Sequence, residues 1–191
     1  MTDGGVQIPG FIAGTWDIDP IHSEVAFTVG HLGVSKVHGR FETYSGTIVT
    51  DDVSDRSTVN VTIDAASVNT HFAIRDKQVR SADFLDVDRF PNITFTSSAV
   101  RAEQGRYLMD GELTIRGNTR PVTLDVTVNG FSPDPSGATR ALFSATTKID
   151  RTDFGVSFNA PIPGLDNAML LSDEVIMTFD VEAVLRTGDP G

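Results

Sequence analysis

The stretch Trp16-Asp17-Ile18-Asp19-Pro20-Ile21-His22-Ser23-Glu24-Val25-Ala26-Phe27-Thr28-Val29-Gly30-His31, continued by Leu32-Gly33-Val34-Ser35-Lys36-Val37-His38-Gly39-Arg40-Phe41, decides the fold. A turn at Asp19-Pro20 is followed by strict alternation. Ser23, Val25, Phe27, Val29 and His31 fall on one side of an extended chain; His22, Glu24, Ala26, Thr28 and Gly30 fall on the other. Successive side chains of a strand point to opposite faces, so the pattern predicts a strand with one buried face. That face mixes Ser23 and His31 with Val25, Phe27 and Val29. An apolar stripe with a few polar groups is the composition of a ligand-cavity wall.

Working outward, Gly33 lets the chain bend, and Val37 to Thr50 reads as a second long strand, with Gly39 on its inward row. Thr58 to Val68 alternates again. The pattern breaks between Asn69 and Asp88, where Val79, Ala82 and Leu85 recur at helical spacing and Asn69 or Thr70 is placed to cap a short helix. Pro91 ends any helix before it. Period two returns in Ile93–Val100, Arg106–Ile115, Val122–Phe131, Arg140–Asp150 and Val175–Leu185, separated by Gly- and Pro-rich turns. The connector Gly155–Ser172 is long enough to suggest a cover over a cavity mouth. Residues 1–14 are Gly-rich and read as a loose leader, leaving one domain over residues 15–187. About eight long strands and one helical insert favour an antiparallel barrel or sandwich. Strand length favours the barrel, where closure removes exposed edges.

Composition narrows the function. The chain has 191 residues and a net charge of −11, and such acidity disfavours nucleic-acid backbones. It has no cysteine, which excludes disulfides, thiolate metal sites and a cysteine nucleophile. No apolar run is long enough to span a membrane as a helix. The first ten residues lack the charged start and apolar core of a secretory signal, so the expected location is cytoplasmic. Asn60-Val61-Thr62 and Asn92-Ile93-Thr94 fit the glycosylation pattern but fall inside strands.

Several ordered motifs make the chain resemble the YceI-like family. Trp16…Ile18-Asp19-Pro20…His22-Ser23…Phe27…Val29…His31 is similar to the family's opening. Thr70…Arg75-Asp76…Arg80-Ser81…Phe84-Leu85-Asp86-Val87…Phe90-Pro91…Ile93-Thr94-Phe95 is similar to its helical segment. Gly111-Glu112-Leu113-Thr114-Ile115-Arg116-Gly117-Asn118, Arg151…Asp153-Phe154-Gly155 and Asp173-Glu174-Val175 complete the likeness. The resemblance implies an eight-stranded antiparallel, lipocalin-like barrel with one short helical insert. It also implies a long apolar ligand, a polyisoprenoid or fatty lipid, held inside. Many family members carry an export signal.

On this reading the expected wall comprises Phe27, Val29, Phe41, Val61, Phe95, Ile115, Phe143, Met177 and Phe179, with small inward residues such as Ser23 and Gly39 leaving room. His31 would contact a head group, or else bond to backbone near a barrel end. Arg75 and Arg80 suit an anionic head group; equally, Arg75 and Asp76 form a structural pair pinning the insert. The histidines lack zinc-site spacing. His22 and Ser23 point apart, and no Gly-x-Ser-x-Gly elbow exists. A non-catalytic lipid carrier without cofactor or metal is therefore expected, with a homodimer compatible with it. The rivals are an enzyme acting on a lipid-like substrate in the same cavity, and a ligand-free interaction module.

Overall fold

The computed structural model describes residues 8–53, 56–104 and 106–188. Its strands are β1 Gly14–Ile18, β2 Glu24–His31, β3 Ser35–Phe41, β4 Tyr44–Thr50, β5 Thr58–Asp64 and β6 Val68–Asn69. One helix, α1 Ala73–Arg80, precedes β7 Asn92–Glu103, β8 Arg106–Ile115, β9 Asn118–Pro133, β10 Thr139–Asp150 and β11 Leu171–Leu185.

Register reduces these to eight staves. β1 pairs with β4 and β2 with β3, so β1–β2 and β3–β4 are two long strands of one interrupted hairpin. β5–β6 is the third, because β4 pairs with β5 and β3 with β6. From β7 to β11 each strand pairs antiparallel with the next. The ring shuts where β11 meets both β2 and β1, with Trp16 opposite Leu185 and Ile18 opposite Ala183. The result is a closed eight-stranded antiparallel barrel, as the strand count and the resemblance imply.

The expected continuous strands Val37–Thr50 and Thr58–Val68 are each broken once, and a serine repairs the ladder there. Asp64 accepts the Ala66 N–H at 2.9 Å and turns the chain into a 3₁₀ turn, Ala65–Ser67. The Ser67 hydroxyl oxygen then accepts the N–H groups of Glu42 and Thr43 at 3.1 and 3.0 Å across the β3–β4 break, where Glu42 also donates to the Ser67 carbonyl at 3.2 Å. Ser23 does the same at the β1–β2 break. Its hydroxyl donates to the Glu182 carbonyl and accepts the Glu182 N–H at 2.9 Å. Unpaired backbone groups weaken a sheet, so these hydroxyls help the kinked wall keep its pairing. Tyr44, buried beneath, donates to the Ser23 carbonyl at 2.6 Å.

Outside the same break lies an ionic cluster. The Arg140 guanidinium reaches Asp134 at 2.6 Å, Asp19 at 2.8 Å and Glu182 at 2.9 Å. The bonds from His22 and Arg140 lower the Asp19 carboxyl from its usual 3.8 to about 2. Ser136 and Arg140 hold Asp134 well below its usual range as well. A depressed carboxylate pKa stabilises the fold above the unfolded value and loses that contribution as pH falls through the folded one. Unfolding free energy from urea melts is therefore expected to fall between about pH 4 and pH 2. Arg140→Met should flatten that slope; parallel curves for the two proteins would show that the cluster holds nothing.

Gly39 fits its position for a different reason from the one its size suggests. A Cβ there would lie 2.2 Å from Cζ of Phe27, whose ring lies across the glycine and packs on Phe41 at 5.6 Å. Gly39→Ala should cost about 1–3 kcal/mol by overpacking, with much of the loss recovered in a Phe27→Leu background.

Candidate functional site: an apolar cavity open at one end

Alternation sends one row of each strand inward, and the two ends of the barrel are finished differently. The base collects the β2–β3 turn, the 70–91 insert, the β8–β9 turn and the 151–170 connector, and all four are tied together. Leu32 donates its N–H to the Leu170 carbonyl at 2.9 Å. Arg116 donates to the Phe84 carbonyl at 2.8 Å and Asn118 to that of Phe154 at 2.9 Å. Phe84 packs on Phe158 at 5.3 Å. Arg151, 5% exposed, donates to the carbonyls of Ser172, Val156 and Phe158 and to the Asp173 carboxylate. Val25, Phe41, Val68, Ile93, Ile115 and Phe154 are all buried in this half.

The other end is open. A cavity of about 1270 Å³ runs into the barrel from the 51–57 loop and the β7–β8 turn. Its wall includes Ile48, Val59, Val61, Ile63, Phe95, Met109, Leu113, Leu124, Val126, Phe131, Phe143, Ala145, Met177, Phe179 and Val181. One deep polar side chain, Thr147, spends its hydroxyl on the Thr123 carbonyl at 2.9 Å. Asp51, Asp52, Ser57, Arg101 and Tyr107 belong to the mouth end, where burial pushes the Tyr107 phenol up. The Phe95 ring sits over Gly111, where a Cβ would lie 2.5 Å from it.

Part of the expected loose leader helps to form the mouth. Residues 1–7 lie outside the described residues, but Ile8, Pro9, Gly10 and Phe11 line the cavity. Phe11 meets Phe131 edge-on at 5.6 Å. The fully buried Trp16 donates its indole N–H to the Thr50 hydroxyl at 2.8 Å, and Thr50 donates to the Ile12 carbonyl at 2.8 Å. This relay fixes the segment to the rim.

Of the residues expected in the wall, Val61, Phe95, Phe143, Met177 and Phe179 line the cavity. Phe27, Val29, Phe41 and Ile115 do not; Phe27 and Phe41 pack on each other below it, and Ile115 is buried. The room expected at Gly39 is filled by Phe27, and the Ser23 hydroxyl faces the β11 backbone. His31 belongs to the turn at the base, 3.3 Å from the Ser35 hydroxyl. The long connector closes the base, not the mouth, because Arg151 folds it back over the strand ends.

Arg75 and Arg80 also sit at the base, each with two of its guanidinium nitrogens bonded to the chain around it. Arg75 donates to the Thr70 hydroxyl and carbonyl, each at 2.8 Å. Arg80 donates to the carbonyls of Ala66 and Val68 at 2.7 and 2.9 Å. Neither Asn69 nor Thr70 caps α1; Thr70 instead gives its N–H and hydroxyl to the buried Asp76 at 2.7 and 2.6 Å. Burial opposes ionisation of Asp76, but the Thr70 bonds and the two arginines outweigh it and lower its pKa. The alternative reading of Arg75 and Asp76, a structural tie for the insert, fits this geometry. Asp19, His22 and Glu182 also converge, and the cation between their carboxylates is Arg140.

The residues missed by sequence reading include Phe11, Phe131, Tyr107, Val126 and Val181, together with Ile48, Val59, Met109, Leu124 and Ala145. Alternation on β8, β9 and β11 exposes Tyr107, Val126 and Val181. Phe131 follows a bulge at Gly130, φ 148°, that breaks the period.

A family model described as a YceI-like domain matches residues 16–183. The chain belongs to the YceI-like family. Protein YceI of Salmonella arizonae is 43% identical over 137 residues, 71% of this chain and 72% of that protein. Among solved structures, Burkholderia cenocepacia BcnA superposes with a TM-score of 0.73 at 25% identity, covering 86% of this chain and 98% of BcnA. A polyisoprenoid binding domain from Saccharophagus degradans implicated in plant cell wall breakdown gives 0.68 at 18% identity, covering 92% of this chain and all of that domain (100%). This YceI-like chain shares the barrel with both.

If the insert arginines serve the base, Arg80→Met should lower stability by about 1–3 kcal/mol, the worth of hydrogen bonds from a charged donor. Affinity for a cavity ligand should stay within about twofold, or less than about 0.5 kcal/mol. A large affinity loss without destabilisation would place the arginine at the ligand.

Proposed function

We propose that this YceI-like barrel is a non-catalytic carrier that shelters a long apolar chain, polyisoprenoid or fatty lipid, in its interior. The observation that carries this reading is the cavity of about 1270 Å³ walled by aliphatic and aromatic side chains and open at one end. At about 30 Å³ per carbon-sized group it has room for about 40 such groups, fewer once the rim is discounted. Sheltering about 20 CH₂ groups offers about 16 kcal/mol gross. Subtracting an association cost of about 8 kcal/mol leaves micromolar binding. The S. degradans neighbour, a polyisoprenoid binding domain of the same fold, supports the chemical class. The non-catalytic reading is supported by the wall, where hydrocarbon surrounds a Thr147 hydroxyl already engaged to backbone.

Protein purified from its own host should release a long-chain lipid on organic extraction, identified by mass spectrometry. Trp16 is the single tryptophan and lies 5.4 Å from Phe131 of the wall, so its emission should report filling of the emptied barrel. Ala145→Trp, which fills the void from the wall, should weaken binding at least about tenfold, or 1.4 kcal/mol, while leaving the strand signal in circular dichroism unchanged. A blank extract from a barrel that takes up neither isoprenoid nor acyl chains would overturn the proposal.

A further inference from the structure

The barrel wall is unzipped along part of one seam. The ladder between β9 and β10 ends at Thr146 opposite Asp125, yet both strands run on toward the base. Residues 118–124 of β9 stay paired with β8, and residues 147–150 of β10 stay paired with β11. The 3₁₀ turn Arg151–Phe154 follows β10 directly, and the Asn118 side chain at the start of β9 donates to the Phe154 carbonyl at 2.9 Å. Outside the gap lies a trench of about 540 Å³, flanked by Arg120, Thr123, Asp125, Thr146, Lys148 and Asp150. Val122 and Thr147 line both this trench and the inner cavity. Between the two spaces the seam is held by a side chain in place of a ladder, the Thr147 hydroxyl donating to the Thr123 carbonyl at 2.9 Å.

We propose that this seam is a water vent, through which the barrel empties its solvent as cargo enters by the mouth; this rests on the carrier reading above. The emptied cavity has room for about 40 waters at about 30 Å³ each. A chain entering by the mouth occupies the route by which that water would leave. The base below is packed, with Phe154 buried and Arg116 and Arg151 tied to carbonyls. Water beneath the leading end of the chain therefore leaves through the wall. The seam is suited to this because a water in passage needs polar partners. The Thr147 hydroxyl and Thr123 carbonyl supply them at the wall, and charged side chains hydrate the trench outside. Turning one threonine side chain breaks the bond that holds the seam. Below Thr147 the gap is floored by the buried Ile149 and Phe154, so it passes water without admitting a lipid chain. A docked peptide strand fits the gap less well. Pro121 has no N–H to offer it, and Lys148 sets a charge on the exposed edge.

The chain has no cysteine, so one introduced thiol reports access. Val122→Cys puts a thiol at the seam with the Thr147 bond in place. Ala145→Cys puts one on the cavity wall nearer the mouth and outside the trench. Delipidated full-length protein is filled with geranylgeraniol, followed by Trp16 emission, and treated with a small water-soluble methanethiosulfonate. Filling should slow modification of the Ala145→Cys protein at least about tenfold and of the Val122→Cys protein no more than about threefold. Equal protection of the two would overturn the vent while leaving the carrier reading intact. A second variant, Lys148→Cys, lies outside the cavity and is capped with N-benzylmaleimide to fill the trench. Uptake of geranylgeraniol should then slow at least about threefold with Kd within about twofold. Unchanged uptake in the capped protein would also overturn the vent. Failure of geranylgeraniol, longer isoprenoids and acyl chains alike to change the emission would overturn the carrier reading itself, and the vent with it.

Discussion

Everything in this molecule depends on the first strand being able to pair on both sides while it bends. A barrel wall has no edges only if its first and last strands meet, and here the first strand is kinked between Ile18 and Glu24. A kink normally strands backbone donors and acceptors, each worth about 1–3 kcal/mol when buried unpaired. Ser23 accepts the Glu182 N–H and shares its carbonyl with the Asp19 N–H, the Ser67 hydroxyl accepts the Thr43 N–H and shares that of Glu42 with the Ser67 carbonyl, and Tyr44 covers the Ser23 carbonyl. With the polar needs of the wall met in this way, the inward row is free to be hydrocarbon, and the interior needs no water to satisfy it.

The two halves of the barrel use the same inward rows to opposite effect. Toward the base, large residues face small ones, as Phe27 faces Gly39, and the loops below are fastened by arginines bonded to carbonyls. Toward the mouth, residues such as Val59, Val61, Ala145 and Val181 stop short of the axis and leave the void. Arginine suits the base because one guanidinium reaches several carbonyls in one plane. Arg151 meets three of them and a carboxylate.

Much of this was legible in the sequence, and the exceptions have physical causes. Period two marked each long strand, and β8 falls on the expected residues because Gly105 and Gly117 bracket it in the sequence as unambiguous punctuation. The inward wall residues Val61, Phe95, Phe143, Met177 and Phe179 followed from the same period. What alternation does not carry is depth along the axis: Phe27 and Phe179 face the same interior, but only Phe179 is above the filled half. Nor does it reveal which end a charged motif serves. The sequence left Arg75 and Arg80 between a head-group role and a structural one because the carbonyls that hold them, on Thr70, Ala66 and Val68, come close only in the folded chain. The bulge at Gly130 hid Phe131 by shifting the period at one residue.

The fastening of one end has a consequence for traffic. A vessel with a single doorway cannot receive cargo from one side and hand it to the other. Whatever occupies the barrel must back out along the path it came in, past Phe11 and Phe131. Under the carrier reading proposed above, donor and acceptor take turns at the same portal, and the surface around that portal is where a hand-off docks.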